Sequence, residues 1–132
     1  MDGRVKTLNP LIYGGILNRS GIDDHVQKEH GMVNLDLMVI NLYPFEETIA
    51  GNNVSEVDAI ESIDIGGPSM IRASAKNFYN KAILTDPDDY ESFINELQNN
   101  DCSISKKTRR KLAVNAFKRT AMYDLSLIHI SE

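Results

Sequence analysis

The sequence predicts an α/β fold carrying a parallel sheet. Short apolar runs at residues 35–41 and 81–85 have the length and composition of strands, and helical patterns follow each of them, an alternation typical of βαβ units. Between them, Ile63-Asp64-Ile65-Gly66-Gly67-Pro68-Ser69-Met70 marks a tight turn that opens a helix: paired glycines carry no Cβ, and proline suits the first helical position. Two strands are too few for a free-standing parallel sheet, whose faces need covering and whose edges need partners. Either further strands go unread or the chain is a piece of a domain.

Bulk composition narrows the class. A length of 132 residues suits one domain with a real core, and 42% hydrophobic with 25% charged residues describes a globular rather than a disordered chain. No run approaches the roughly 18 consecutive apolar residues of a membrane span, and the start lacks the charged-then-apolar order of a signal peptide. A cytoplasmic address with no membrane partner is expected. Cys102 is the single cysteine and the three histidines are scattered, so there is no internal disulfide and no metal-site spacing. A net charge of -5 argues against a nucleic-acid partner. The basic run Lys106-Lys107-Thr108-Arg109-Arg110-Lys111 has no interleaved aromatics and reads as a solvated face, although it sets cations at a helix N-terminus, where the dipole disfavours them.

Taken in order, Arg4, Lys6 and Thr7 place three donors within four residues, either a cluster for a phosphate or base edge or a solvated basic turn. Residues 22–30 read as a short polar helix stopped by Gly31, with His25 and His30 on its exposed face. The strand at 35–41 reads as buried and ends at Asn41, after which Tyr43-Pro44 breaks regular structure. Ligands of open α/β sheets bind beyond the carboxyl ends of strands, which places Asn41 and Tyr43 for chemistry, while Tyr43 fits equally as an aromatic capping the core.

Residues 53–62 carry a helical period through Val54, Val57 and Ile60, with Asn53 or Ser55 as cap. A helix from Pro68 should bury Met70, Ile71, Ser74, Ala75 and Phe78 and turn Ser69, Arg72 and Lys76 to another face. Asp86-Pro87 caps a helix reaching about Leu97, and the carboxylates crowding its start fit a helix N-terminus better than a metal cage. Ser105 caps a last helix through about Asp124, with Leu112, Ala113, Ala116, Phe117 and Ala121 as its apolar face.

The turn at Asp64 gathers the most chemistry. An acid stands before first-turn N–H groups suited to an anion or a developing oxyanion, and Lys76, about two turns into the helix, offers a base. The bland alternative is a well-capped helix whose Lys76 sits where the dipole favours a cation.

These residues also carry a family pattern. Asp2-Gly3-Arg4-Val5-Lys6-Thr7-Leu8, Gly14-Gly15-Ile16-Leu17, Asn41-Leu42-Tyr43-Pro44-Phe45, the run from Ile63 to Ala73, Ala75-Lys76-Asn77, Asp86-Pro87, Tyr90, Thr108-Arg109, Ala116-Phe117, Thr120-Ala121 and Tyr123-Asp124 occur in the family's order. Together they resemble the IMP cyclohydrolase domain of the bifunctional purine biosynthesis enzymes, which join AICAR formyltransferase to IMP cyclohydrolase. The resemblance covers residues 1–124 and leaves 125–132 as a divergent or artefactual tail. It implies a methylglyoxal-synthase-like parallel-sheet sandwich, incomplete here because the family's first strands and the Ser/Thr/Gly-rich loops that cradle the ribotide phosphate precede Asp2 in the pattern. The formyltransferase domain is likewise outside it. Without the first strands, weak activity or none is expected of this segment alone.

The implied reaction is the ring closure of 5-formamidoimidazole-4-carboxamide ribotide to IMP with loss of water. Position by position, the resemblance puts Lys6, Tyr43, Asp64 and Lys76 on catalytic positions and Arg4, Thr7, Asn41, Ile65, Gly66 and Gly67 on ligand-contacting ones. It implies a ribonucleotide substrate, no cofactor or metal for ring closure, 10-formyltetrahydrofolate only for the formyltransferase domain, and a homodimer for the full-length protein. Asp64, held and tuned by Lys76, would accept a proton, N–H groups from Ile65 to Gly67 would take up oxyanion charge, and Tyr43 or Lys6 would protonate the departing hydroxyl. Asn9, Tyr13 and Phe78 stand where the family shows His. The alternative is a non-catalytic nucleotide-binding or allosteric module on the same fold, which has no need of an acid, a phenol and two ammonium groups at once.

Overall fold

The computed structural model describes residues 8–42 and 55–128. Its first element, α1 (Pro10–Leu17), is a helix that the sequence reading left out. The Asn9 side chain accepts the Leu11 N–H at 2.9 Å and Pro10 fills the first turn, so the start signals are conventional. The glycines inside it are not helix formers. They serve a close approach: Leu35 N–H donates to Gly15 O at 3.2 Å, and a Cβ on Gly15 would meet Val33 O at 2.2 Å. Helix α2 (Asp24–His30) ends as expected at Gly31 in the left-handed region, with His25 and His30 exposed.

Strands β1 (Leu37–Val39) and β2 (Ala82–Leu84) pair in parallel, with Met38 opposite Ile83. Between them lie α3 (Glu56–Glu61), capped by Ser55, whose Oγ accepts the Asp58 N–H at 3.1 Å, and α4 (Gly66–Lys76). Asn53, the other candidate cap, lies outside the described residues. A 3₁₀ turn (Pro87–Asp89) capped by Asp86 leads into α5 (Tyr90–Asn99), and α6 (Lys106–Ile128) completes the order. The α/β class and the parallel pairing are those the sequence predicts. No described helix is long and apolar enough to cross a membrane.

Strand β2 is buried on both faces. Ile83 and Met38 join Ile71 and Ala75 of α4 and Ala113, Ala116 and Tyr123 of α6 in the main core, while Ala82 and Leu84 pack against Phe93 of α5 and Leu112. Strand β1 departs from the buried strand expected of it: Met38 is buried, but Leu37 is 41% and Val39 50% exposed. Their side chains line an open apolar groove of about 230 Å³ with Leu84, Phe93, Ile94 and Leu97. Packing of α5 covers the face at β2 and leaves it open at β1.

Helix α4 buries Ile71, Ser74 and Ala75 and exposes Arg72 and Lys76, as its period predicts. Its start differs, because the helix begins at Gly66, two residues before Pro68. In α6 the buried face runs through Leu112, Ala113, Ala116, Thr120, Tyr123 and Ser126, whereas Phe117 and Ala121 are exposed, contrary to expectation. The 3–4 spacing continues onto hydroxyl-bearing residues that satisfy themselves within the helix: Thr120 Oγ1 donates to Phe117 O at 3.1 Å and Ser126 Oγ to Tyr123 O at 2.6 Å.

The basic run is more than a solvated face. Arg109 donates from Nε to Phe78 O at 3.0 Å, from Nη1 to Ile104 O at 2.6 Å and from Nη2 to Tyr79 O at 3.1 Å. Lys106 stands 4.2 Å from the centre of the Tyr79 ring, and Lys111 lies 3.8 Å from Asp89. The carboxylate that the first turn of α6 lacks is supplied by Glu96, which accepts the Ser105 N–H at 2.7 Å and the Thr108 hydroxyl at 2.6 Å. Those hydrogen bonds hold the Glu96 carboxyl below its usual pKa, the Thr108 hydroxyl contributing most.

Candidate functional site

The chain enters α4 through a bend at Asp64 and Ile65, beside Leu42, which is buried just past the carboxyl end of β1. The partly buried Asp64 accepts the Gly67 N–H on Oδ1 at 3.0 Å, so its carboxylate caps the first turn and starts the helix ahead of Pro68. A side chain at Gly67 has no room: a Cβ there would lie 2.4 Å from Asp64 Oδ2 and 2.9 Å from Leu42 Cδ2. The backbone of Asp64 is anchored separately, its N–H donating to the Tyr123 hydroxyl at 2.7 Å. Burial pushes the Tyr123 phenol pKa up, against the pull of that N–H. Ser69 Oγ donates to Gly66 O at 2.9 Å and shares a short hydrogen bond with the Tyr13 hydroxyl. The first turn of α4 is thus held by a tyrosine from α1 and another from α6.

Of the residues singled out in the sequence, Asp64, Ile65, Gly66 and Gly67 come together at this turn. Asn41 stands at the carboxyl end of β1, exposed, where its Nδ2 donates to the Tyr90 hydroxyl at 3.1 Å. Arg4, Lys6, Thr7 and Tyr43 lie outside the described residues. Two expectations change. Lys76 does not stand beside Asp64: it is exposed in the last turn of α4, and at 1.5 Å per residue about 15 Å of helix separates it from Gly66. The Gly67 N–H does not face a ligand oxygen, because it is given to Asp64 Oδ1.

Sequence reading missed Tyr123, Tyr13, Ser69 and Tyr90 as neighbours of these residues. For Tyr123 no local signal existed, since its partner lies 59 positions away. Of the three positions that depart from the resembled pattern, Asn9 caps α1, Tyr13 bonds Ser69, and Phe78 is half-buried against Tyr79 with ring centres 4.5 Å apart.

Chemically, the arrangement is a carboxylate with one oxygen fixed, set at the positive end of a helix dipole, at the strand end where open α/β sheets bind ligands. Such a group can accept a proton while neighbouring N–H groups take up negative charge. Among the described residues no cluster of His, Cys, Asp and Glu has the arrangement to hold a metal ion.

The sequence model of the AICARFT/IMPCHase bienzyme family matches residues 74–131. The chain is 50% identical over 127 residues, 96% of its length, to the bifunctional purine biosynthesis protein PurH of Xanthomonas euvesicatoria pv. vesicatoria (strain 85-10), and it spans 24% of that relative. Among solved structures it is similar to ForH, with a TM-score of 0.83 and 33% identity, covering 100% of this chain and 70% of that one.

Proposed function

Because the chain belongs to the AICARFT/IMPCHase bienzyme family, we propose that it carries part of an IMP cyclohydrolase site acting in purine biosynthesis. The observation that carries the reading is the Asp64 carboxylate, fixed on Oδ1 by Gly67 at the mouth of α4. The carboxamide nitrogen of 5-formamidoimidazole-4-carboxamide ribotide is a weak nucleophile. As it bonds to the formyl carbon it loses a proton, and Asp64 accepts it through Oδ2, the oxygen that Gly67 does not hold.

Charge then develops on the formyl oxygen, where the first-turn dipole and the N–H groups of Ile65 and Gly66 favour it. That oxygen takes up two protons, one returned by Asp64 and one from a second donor, and leaves as water; the formamido nitrogen gives its proton back to that donor as the C=N bond of the closed ring forms. Lys6 or Tyr43 is the second donor, a role resting on resemblance, as does the place of Lys76, Arg4, Thr7 and Asn41 in the site. Ring closure is intramolecular, so much of the rate comes from holding two substituents of one ring face to face. In this reading the substrate is a ribonucleotide, ring closure uses no cofactor, nucleic acid and membrane take no part, and the full-length protein is a cytoplasmic homodimer.

The test is IMP formation by this chain alone and by a chimera in which it replaces the corresponding residues of the Xanthomonas relative. The chimera should turn over, the isolated chain weakly, and Asp64→Asn in the chimera should lower kcat by about 100-fold or more. An Asp64→Asn chimera with the parent rate overturns the mechanism.

A further inference from the structure

We infer that Tyr123 is a positioning residue for Asp64, fixing from α6 the backbone that carries the carboxylate; the inference rests on the reading of Asp64 as the proton acceptor. Asp64 belongs to no helix. It follows α3 and Ser62, whose N–H returns to Asp58 O at 3.1 Å, and precedes the hydrogen-bonded turns of α4. Local structure therefore leaves its peptide plane to a tertiary contact, and the contact is the 2.7 Å hydrogen bond from its N–H to the Tyr123 hydroxyl.

The anchor is rigid. Tyr123 projects from a 23-residue helix, is 7% exposed, and belongs to the main core with Ile71 and Ala75 of α4. Its ring therefore moves with the helix that bears the oxyanion-binding turn. The two holds on Asp64 are complementary. Gly67 fixes the carboxylate oxygen relative to α4, and Tyr123 fixes the main chain from which that carboxylate hangs. With either released, the acid loses its aim, and misplacement by about 1 Å is enough to cost a large share of the rate.

A double-mutant cycle in the chimera separates positioning from mere packing. Tyr123→Phe should lower kcat about tenfold with KM little changed, and should lower it no further in an Asp64→Asn background. Equal losses in both backgrounds, or none in the parent, overturn the inference. Amide hydrogen exchange on this chain supplies a readout free of activity: Asp64 should exchange at least tenfold faster in Tyr123→Phe while the amides of α4 keep their protection, and unchanged exchange at Asp64 counts against the inference. If Asp64→Asn alone keeps the parent rate, the reading of Asp64 as proton acceptor falls, and the exchange result alone then decides whether Tyr123 anchors it.

Discussion

A methyl group on Gly67 would stand 2.4 Å from Oδ2 of Asp64. Side-chain carbons do not approach an oxygen so closely, so in Gly67→Ala the carboxylate must rotate away or the first turn of α4 must shift. Overpacking of this kind costs about 1–3 kcal/mol, and the displaced acid should cost at least tenfold in kcat. Thermal melting of the chain and IMP formation by the chimera, on the reading of Asp64 proposed above, check both. A variant with parent kcat would show that the position of Oδ2 does not matter to turnover.

Asn77 closes α4 against the end of α1. Its buried Nδ2 donates to Ile16 O at 2.9 Å and Asn18 O at 2.8 Å, and its Oδ1 accepts from Asn80 at 2.8 Å. Leucine there would leave two buried carbonyls without that donor, each worth about 1–3 kcal/mol. Asn77→Leu should lower the free energy of unfolding by about 3 kcal/mol in urea titration, with an unchanged m-value.

Lys81 is fully buried at the start of β2, where it bonds Asn34 and lies 3.9 Å from Asp36. Burial pushes its pKa down, offset only in part by Asp36. The folded chain thus binds this proton less tightly than the unfolded chain, whose lysine titrates near 10.4. The burden of the buried charge is full below the folded pKa and lifts as pH rises through it toward that value. As pH rises toward about 10 the parent should gain stability relative to Lys81→Met, so the difference between their melting temperatures should change with pH in the parent's favour. A difference constant with pH would contradict the expectation.

Arg109 satisfies three carbonyls at once with its planar fork. A lysine ammonium cannot reproduce that geometry. Arg109→Lys should destabilise the chain by about 1–2 kcal/mol, read from chemical denaturation, although the charge is kept. No loss would return the basic run to the role of a solvated surface.

What was legible in the sequence was local. Gly31 stopping α2, Ser55 capping α3 and Asp86-Pro87 opening the turn before α5 all use neighbours within a few residues. Helix α1 escaped notice although Asn9-Pro10 announces it, because Gly14 and Gly15 argue against a helix until Val33 and Leu35 come against them. The exposure of Leu37 and Val39 could not be read, since an apolar strand looks the same whether or not another layer covers it. In α6, residue type suggested Phe117 and Ala121 as core, while the helical spacing favoured Thr120 and Tyr123. At the candidate site the acid, the glycines and the helix start were legible. The partners from α1 and α6 were not, being joined only by the fold.

The hydrogen bond between Asp64 and Tyr123 closes a loop of 59 residues, so it forms only after β2 and α5 have been laid down between them. Loop closure of this length is entropically slow beside the forming of a helix or a capped turn. In a refolding experiment helical signal should therefore return before the carboxylate is aimed. A chain whose last helix has yet to dock would be helix-rich while the main chain of Asp64 still lacks its anchor.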